Sequence, residues 1–386
     1  MFRKPDRQSI AWALAALSIS ILFLSLPPTA SATPAGSSFD HIIIIAMENQ
    51  NYPDVLGDGT PAGCPTGTAP FLCSLLLLSS TIPSYHSYGA TSSISGCSAA
   101  CYVALISGDT YGVGDGYSCC LSGSTLVDQM QSAGLTWQAY CESGCPRGND
   151  HFPFTGFASD TNSPNIFTRS LVSTTTLIAA ANSANPPNLL WYTPTDNHNM
   201  HDNSISTGDS YLKSLLIGSG TPSNPASGSL LASSIFTTTS YRTMLYIWWD
   251  EYDPSPNIQY GSMLKEGYVS TNKNYDEYAS LHTIEANWGL PYLTSAVSGA
   301  PYMSDVFGGS APGALSTTSD SLSTLTFLYI GLIAGGAVSV TIYLAKYHSH
   351  NRKLTAVLQM NNLQTRQGIH RSVGKKKKLR KDPEST

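Results

Sequence analysis

The chain has 386 residues and a formal net charge of −5 at pH 7, but its charges are unevenly distributed. Residues 33–345 contain six Lys or Arg against 22 Asp or Glu, a balance near −16, whereas 11 Lys or Arg follow position 345. A surface this acidic repels nucleic-acid backbones, so the composition excludes nucleic acid as a partner of residues 33–345 and favours the binding of divalent cations.

The first 32 residues are typical of a secretory signal peptide. Basic residues at positions 3, 4 and 7 precede an apolar run over 10–26, and the small residues Ala30, Ser31 and Ala32 follow. Because basic, apolar and small residues occur in this order in such signals, we expect cleavage after Ala32. The alternative is an uncleaved membrane anchor, since the apolar run is somewhat long for a signal.

Residues 37–303 are predicted to form one large domain, and their length suffices for a single core. Continuous apolar runs that are typical of strands covered on both faces lie at 41–46, 135–140, 189–193 and 243–248. Helical patterns lie at 99–106, 126–133, 209–217 and 275–288. The alternation of strands and helices predicts an α/β fold, a sandwich with a central and mostly parallel sheet.

The rest of the chain is predicted to form a membrane anchor. Residues 304–324 are rich in Gly, Ser, Thr and Ala and predict a flexible stalk. Residues 325–345 carry no charge and would span about 30 Å as a helix, which is the thickness of a bilayer core. Because basic segments stay on the cytoplasmic side, residues 346–386 predict a cytoplasmic tail and an extracellular N-terminal domain in a single-pass protein of the cell membrane.

Eight cysteines lie within this predicted outer domain: Cys64, Cys73, Cys97, Cys101, Cys119, Cys120, Cys141 and Cys145. An even number in an exported domain favours disulfide bonds. A zinc site is the alternative, which the spacings 97/101 and 141/145 also allow. The sequence does not determine the pairing, although we expect the adjacent residues Cys119 and Cys120 to bond to two different partners.

Polar side chains follow three of the predicted strands at the point where each strand ends. They are Glu48 and Asn49, then Asp196, Asn199, His201 and Asp202, then Asp250 and Glu251. Because ligands bind beyond the carboxyl ends of such strands, the pattern predicts a metal site, although any one of these segments could be a solvated loop. Oxygen donors with an Asn, and with a His as a further candidate, suit manganese, magnesium, calcium or zinc, and the sequence does not select among them.

A serine stands directly before the helix predicted at 99–106. At a helix start, the backbone N–H groups and the helix dipole favour a bound anion and the alkoxide form of a serine, so Ser98 is a candidate nucleophile. The alternative is an ordinary helix cap, because serine is a preferred capping residue and Ser98 ends a serine-rich loop.

The order of short motifs along the domain resembles the phosphoesterase family of acid phosphatases and bacterial phospholipases C, within the alkaline phosphatase superfamily. The motifs lie at 41–49 with Tyr52 and Gly57, at 102–108, at 134–137 with Tyr140 and Glu142, at 151–154, at 194–202 with Gly208 and Asp209, at 249–251, and at 280–285 with 289–291. They cover residues 39–295, and their order and spacing carry the resemblance. It implies an alkaline-phosphatase-like sandwich.

The same resemblance implies a metal-dependent phosphoesterase that acts on a phosphorylated small molecule or a phospholipid. The implied metal ligands are Glu48, Asn49, Asp250 and Glu251; the implied substrate-binding residues are Asn49, Asn199 and Asp202; and the implied catalytic residues are Ser98, His151 and His201. Ser98 would attack phosphorus to form a phosphoserine, and one of the two histidines would protonate the leaving group.

The chain departs from the family pattern at two places. Ala100, Cys101 and Tyr102 stand where the family has Pro-Asn-Tyr, which would remove a phosphate contact and fits a disulfide at Cys101. Asp276 or Glu277 stands where a His is usual, which would replace a nitrogen ligand with oxygen. Three functions therefore stay open: a phosphoesterase similar to acid phosphatases, a phospholipase C acting on lipid headgroups, and an inactive cell-surface binding domain.

Overall fold

The computed structural model describes residues 36–87, 97–167 and 174–308. The predicted signal peptide, the predicted membrane span at 325–345 and the basic tail lie outside the described residues. Of the helices in the described part of the chain, none combines the length and the apolar character needed to cross a bilayer.

A mostly parallel sheet forms the centre of the domain. The strands are β1 (His41–Met47), β2 (Ser79–Thr81), β3 (Tyr85–His86), β4 (Trp137–Cys141), β5 (Ile166–Phe167), β6 (Leu189–Thr193), β7 (Thr243–Trp249), β8 (Asn257–Tyr260), β9 (Tyr268–Val269) and β10 (Tyr275–Asp276). Eight of them form one sheet in the order β5-β4-β6-β1-β7-β8-β2-β9, while β3 pairs with β10. Only β8 runs antiparallel to its neighbours in the larger sheet, so the predicted mixed α/β architecture is confirmed.

The strand β1 lies in the middle of this sheet and is buried along its whole length. Ile42 and Ile44 contribute to one apolar cluster, and Ile43 and Ile45 contribute to a second. Because alternate side chains of a strand point to opposite faces, both faces of the sheet are covered. Burying each isoleucine contributes about 1.5–3 kcal/mol, which explains the uninterrupted run of isoleucines.

Helices lie on either side of the sheet. They are α1 (Tyr52–Leu56), α2 (Pro70–Leu75), α3 (Ser98–Ser107), α4 (Leu126–Ser132), α5 (Thr174–Ala181), α6 (Ile205–Leu216), α7 (Ser234–Thr237), α8 (Glu277–Trp288) and α9 (Ser295–Gly299). The helices predicted at 99–106 and 126–133 are confirmed as α3 and α4. Thr125 and Asp128 start α4 with a reciprocal capping box.

The structure moves three predicted boundaries, each for a local reason. The helix predicted from 209 begins at Ile205, because the side chain of Ser204 caps it. The helix predicted from 275 begins at Glu277, because the two preceding residues pair with β3 and Asp276 caps the helix. The strand predicted from Leu135 begins two residues later, because the N–H of Leu135 closes the end of α4 by donating to Met130.

All eight cysteines are paired, as Cys64–Cys73, Cys97–Cys101, Cys119–Cys120 and Cys141–Cys145. The expectation that Cys119 and Cys120 bond to two different partners is wrong. The other six cysteines pair among themselves within nine residues of sequence or fewer, so each of these two has only its neighbour left.

The packed domain extends past residue 303. Val306 and Phe307 are buried, and Phe307 forms a bridge with Leu264. The carboxylate of Asp305 accepts hydrogen bonds from the hydroxyls of Tyr275 (2.6 Å) and Ser270 (2.6 Å). Residues 304–308, which their composition assigned to the stalk, therefore pack onto the sheet edge.

We predict that Glu285 on α8 makes the stability of the domain depend on pH. The side chain is fully buried, one oxygen accepts from the N–H of Leu293 (3.1 Å), and the other has no donor among the described residues. Burial raises its pKa from 4.5 to about 8. The folded protein therefore holds this proton more tightly than the unfolded chain. Proton binding by Glu285 contributes fully to the free energy of unfolding below pH 4.5, and this contribution is lost as the pH rises to about 8.

Replacing this carboxyl with a neutral amide, Glu285→Gln, should remove that loss. Between pH 5 and pH 8 we expect the Tm of the variant to gain about 2–4 °C relative to wild type, the shift that about 1 kcal/mol produces in a domain of this size. Calorimetry across this range measures the effect. Glu266→Gln, at an exposed position, is the matched control. A wild-type pH profile of Tm that both variants reproduce would contradict the assignment.

Candidate active site

The carboxyl ends of β6, β1 and β7 lie side by side, because β1 pairs in parallel with both neighbours. The N–H of Glu48 donates to the carbonyl of Asn199 (2.8 Å), and the N–H of Asn49 donates to Asp250 Oδ1 (3.3 Å). The N–H of Asp250 in turn donates to the carbonyl of Met47 (3.2 Å). The structure thus brings together the three polar segments that follow these strands.

Glu48 and Asp250 form a buried pair of carboxyl groups. Both residues are 0% exposed and their side chains are in hydrogen-bond contact with each other. Burial, and then the neighbouring carboxylates, raise the pKa of both groups well above the ordinary range. Glu48 Oε2 and Asp250 Oδ2 have no donor among the described residues. Two facing carboxyl groups need a proton or a cation between them, so these residues fit a bound cation.

Glu251 connects this pair to Ser98. Its carboxylate accepts hydrogen bonds from both the hydroxyl and the backbone N–H of Ser98, which oppose the rise that burial causes in the pKa of Glu251. With the amide nitrogen of Asn49 facing Glu251, Asn49 donates to both carboxylate oxygens (3.1 and 2.8 Å). Asn49 and Glu251 adopt left-handed backbone angles, with φ of 46° and 51°. Such angles are unfavourable for residues other than glycine and often occur at functional sites.

Ser98 is the first residue of α3 and is mostly buried. The capping position belongs to Cys97, which makes no side-chain cap, so Ser98 is not the ordinary helix cap that its sequence context allowed. The Cys97–Cys101 disulfide spans this first turn, as the departure at Cys101 suggested. One turn further, the hydroxyl of Tyr102 donates to Glu48 Oε1. Residues four apart share a helix face, so α3 presents Ser98 to Glu251 and Tyr102 to Glu48.

His151 lies buried between two carboxylates. Its Nδ1 is 3.1 Å from Glu48 Oε1 and 3.6 Å from Asp196 Oδ1, and its ring stacks on Tyr102 at 5.4 Å. Hydrogen bonding to His151 is the main cause that lowers the pKa of Asp196 to about 2. Because its side chain is 1% exposed, His151 lies behind the acidic pair and away from solvent.

His201 lies on the open side of the site, with 23% of its side chain exposed. Its Nδ1 is 2.6 Å from Asp202 Oδ1, its backbone N–H donates to Asn199 Oδ1 (2.9 Å), and its Nε2 is 3.2 Å from the amide oxygen of Asn49. The possible ligand atoms of Asp196, His201 and Asp202 lie within 4.8 Å of one another, which makes them a second group that could hold a cation.

Two charged residues of the site escaped the sequence analysis. Asp115 Oδ1 accepts from the N–H of Ala99 in the first turn of α3 (3.2 Å). The guanidinium of Arg147 is 3.6 Å from Asp115 Oδ2 and 3.5 Å from Asp196 Oδ2. Asp115 lies between α3 and α4, and Arg147 lies beyond Glu142 in the loop after β4, so neither directly follows a strand. The signal in the sequence that could have identified Arg147 was the scarcity of basic residues: it is one of six Lys or Arg in residues 33–345.

A further carboxylate, Glu142, fixes the loop that carries Asp196. Glu142 follows β4 and accepts from the N–H (2.9 Å) and hydroxyl (3.2 Å) of Thr195. His198 Nδ1 lies 2.8 Å from the same carboxylate, and the His198 ring stacks on Tyr211 at 4.1 Å. Since Asp196 directly follows Thr195, Glu142 sets the position of the residues after β6.

The acids that replace the family's usual histidine have other partners. Asp276 caps α8 by accepting from the N–H of Ala279 (2.8 Å), and Glu277 accepts from the indole N–H of Trp248 (3.3 Å). Neither is joined to Ser98 by a hydrogen bond or ion pair that the structure describes. The contacts around Ser98 therefore give no support to an oxygen ligand from this segment.

Comparison with known proteins gives two matches at the level of sequence. A model of the phosphoesterase family matches residues 89–220. The chain is 25% identical over 302 residues to the phosphatidylinositol-3-phosphatase of Mycobacterium tuberculosis (strain ATCC 25618 / H37Rv), a match that covers 74% of this chain and 88% of that protein.

Two solved structures are similar at low scores. Ps i-CgsB in complex with k-i-k-neocarrahexaose gives a TM-score of 0.39 at 10% identity and covers 64% of this chain and 72% of that one. The C-terminal periplasmic domain of EcEptC from Escherichia coli gives a TM-score of 0.35 at 12% identity and covers 69% of this chain and 87% of that one. Scores this low carry no functional argument.

The family match lies on the segment that holds Ser98, Asp115, His151 and the residues after β6. The phosphatase match extends over most of the chain. Together they confirm the resemblance seen in the sequence: the chain is similar to the phosphoesterase family, and both matches indicate a phosphoric ester hydrolase.

Proposed function

We propose that the domain hydrolyses phosphate esters with Ser98 as the nucleophile and a divalent cation held by Glu48, Asn49, Asp250 and Glu251. The observation that carries this proposal is the contact of Glu251 with the hydroxyl of Ser98, beside the buried pair of Glu48 and Asp250. We also assign the domain to the alkaline-phosphatase-like sandwiches, an assignment supported by its parallel central strands with both faces covered.

The proposed ligands suit a hard cation. They are three carboxylates and one amide oxygen, and two of the carboxylate oxygens have no donor among the described residues. Oxygen donors of this type bind magnesium, manganese or calcium. When bound, the cation supplies positive charge that neutralises these carboxylates, lowers the pKa of a nearby hydroxyl and opposes the negative charge of the transition state.

Ser98 acts through its Oγ, which attacks phosphorus as the bond to the leaving-group oxygen breaks in line. A phosphoserine forms, and a water molecule then hydrolyses it to phosphate and free Ser98. Glu251 orients the hydroxyl by accepting its hydrogen bond. The N–H groups at the start of α3 and the guanidinium of Arg147 are the donors available for the phosphoryl oxygens.

His201 is the better candidate to protonate the leaving group. It is partly exposed and borders Asn49, so a leaving group can reach it from solvent. His151 is buried against Glu48 and Asp196, and its contacts fit a role in orienting those carboxylates. We therefore assign proton transfer to His201 and positioning to His151.

We propose that the substrate is a monophosphorylated polyol, including the headgroup of a phosphoinositide. The M. tuberculosis relative, a phosphatidylinositol-3-phosphatase, supports this class. The charge of the site supports a single phosphate, because Arg147 pairs with two of its acids and the site holds six carboxylates in all: Glu48, Asp115, Asp196, Asp202, Asp250 and Glu251. Substrates with several phosphates would meet stronger repulsion.

We also propose that the domain works outside the cell and is held to the membrane by the segment 325–345. The apolar sequence of that segment and the basic residues after it support the proposal. The four disulfides support it independently, because disulfides persist in oxidising compartments.

Ser98→Ala is the direct test of the nucleophile. We expect turnover of an aryl phosphate to fall by more than about 10³-fold, with the Tm changed by less than about 2 °C, because only the attacking oxygen is removed. Activity is measured after EDTA treatment and after adding back magnesium, manganese, calcium or zinc, and mass spectrometry of quenched wild-type enzyme looks for phosphate on Ser98.

Ser107→Ala is the matched control, because Ser107 lies at the other end of α3 and bonds only to backbone carbonyls in the described structure. It should retain activity. Full turnover by the Ser98 variant would refute the nucleophile. A wild-type protein that is inactive with every metal would instead favour a binding domain. Release of phosphate from a phosphoinositide indicates a monoesterase, whereas release of a phosphorylated headgroup indicates a phospholipase C.

Asp250→Asn tests the proposed cation site through stability. In metal-free protein the amide removes one of two facing carboxyl groups, so we expect the Tm to rise by about 2–4 °C, the effect of about 1 kcal/mol. The stabilisation that manganese gives to wild type should largely disappear. Thermal unfolding with EDTA or manganese measures both changes, and Asp54→Asn, an exposed acid on α1, should alter neither. A variant that is less stable without metal and still stabilised by manganese would contradict this assignment.

A further inference from the structure

We propose that Asp115 is a built-in competitor of the substrate: its carboxylate occupies the donors that bind the phosphate, and it must leave them before a substrate can bind. This inference rests on the proposed function, because that function places a phosphoryl group at the start of α3. It assigns an inhibitory role to a residue of the loop 109–123, between α3 and α4.

The contacts of Asp115 are those expected of a bound phosphate. Oδ1 accepts from the N–H of Ala99, next to the nucleophile Ser98, at 3.2 Å. Oδ2 lies 3.6 Å from the guanidinium of Arg147. Arg147 is the one Lys or Arg in the described part of the chain that forms an ion pair with an acid of this site. A free N–H at a helix start and an arginine fork are the two groups that proteins use most readily to bind phosphate.

The position is unfavourable for a carboxylate in the absence of these donors. Asp115 shares the guanidinium of Arg147 with a second carboxylate, that of Asp196. Like charges repel, and the described contacts that hold the Asp115 side chain against this repulsion are those with Ala99 and Arg147. A phosphate dianion carries more charge and can use the same donors, and the two anions cannot occupy them together.

The surroundings of Asp115 allow its side chain to leave the donors of Ala99 and Arg147. A methyl group placed on Gly112, Gly114 or Gly116 would meet no atom within 4 Å, whereas Val113 and Tyr117 of the same loop pack against the core. Half of the Asp115 side chain is exposed. The nearest anchor is the N–H of Gly116, which donates to the carboxylate of Asp150 at 2.8 and 2.9 Å. A rotation of the Asp115 side chain therefore frees the donors without unpacking the core.

A catalytic role for Asp115 would have the opposite effect on activity. If the carboxylate bound the cation or moved a proton, its removal would lower kcat or weaken binding. If it competes with phosphate, its removal strengthens binding. The sign of the change therefore separates the two roles.

The experiment measures the affinity of the full chain for inorganic phosphate, in magnesium, by titration calorimetry. Asp115→Asn removes the charge and keeps the size of the side chain. We expect the Kd for phosphate to fall about three- to tenfold, since an anion at a helix start and a partly exposed ion pair are each worth a few-fold in affinity. The KM for an aryl phosphate should fall by a similar factor. Asp115→Ala should behave in the same way.

Asp109→Asn is the matched control, because it removes the same charge from an exposed position in the same loop. It should change the Kd by less than about twofold, since exposed charges are screened by salt and water. In wild type, saturating phosphate should also speed the hydrogen exchange of the amides of residues 112–117.

A Kd that rises or stays constant in Asp115→Asn, or that falls equally in Asp109→Asn, would overturn the inference, as would a wild-type protein and variants that bind no phosphate. Because these titrations need no turnover, the two proposals fail separately. Tighter phosphate binding by an Asp115 variant of a protein that hydrolyses nothing would support the competitor and refute the proposed activity.

Discussion

The contact between the buried carboxyl groups of Glu48 and Asp250 is the constraint on which the candidate site depends. Two acids with no exposure to solvent cannot both be charged without a compensating group, and the surrounding contacts answer this need. Tyr102 donates to Glu48, His151 lies beside it, and the N–H of Asn49 donates to Asp250. The same arrangement leaves one oxygen of each acid, Glu48 Oε2 and Asp250 Oδ2, without a donor among the described residues. Because these facing acids lower the stability of the folded protein when nothing is bound, a ligand that neutralises them stabilises the fold.

The sheet makes this contact possible. Because β1 and β7 pair in parallel over seven residues, Glu48 and Asp250 come after strands that end at the same level. The helix α3 then brings Ser98 and Tyr102 to the same edge, one turn apart. The loop after β6 completes the site, and Glu142 at the end of β4 holds that loop in place. Four neighbouring strands thus contribute to one site, although their residues are distant in the sequence.

The sequence predicted the central strands and the residues that follow them well, and physical reasons explain this. An uninterrupted apolar run such as 41–46 has few alternatives to a covered strand, and parallel strands bring their carboxyl ends to one edge. Asp115 and Arg147 could not be predicted in this way, because their places are set by loop geometry and by each other. The pairing of Cys119 with Cys120 depended on which other cysteines were already paired. Residues 304–308 have the composition of a stalk, and only tertiary contacts of Asp305 and Phe307 assign them to the domain.

The left-handed backbone at Glu251 limits which side chains can serve at that position. Aspartate adopts such angles more readily than glutamate, so the shorter acid would suit this turn better. The longer acid is nevertheless present, and its carboxylate reaches both the hydroxyl and the N–H of Ser98. The side-chain length needed to contact Ser98 therefore outweighs the less favourable backbone angles of glutamate at this position. Substitutions meant to change the chemistry of this site should therefore alter other side chains and keep Glu251.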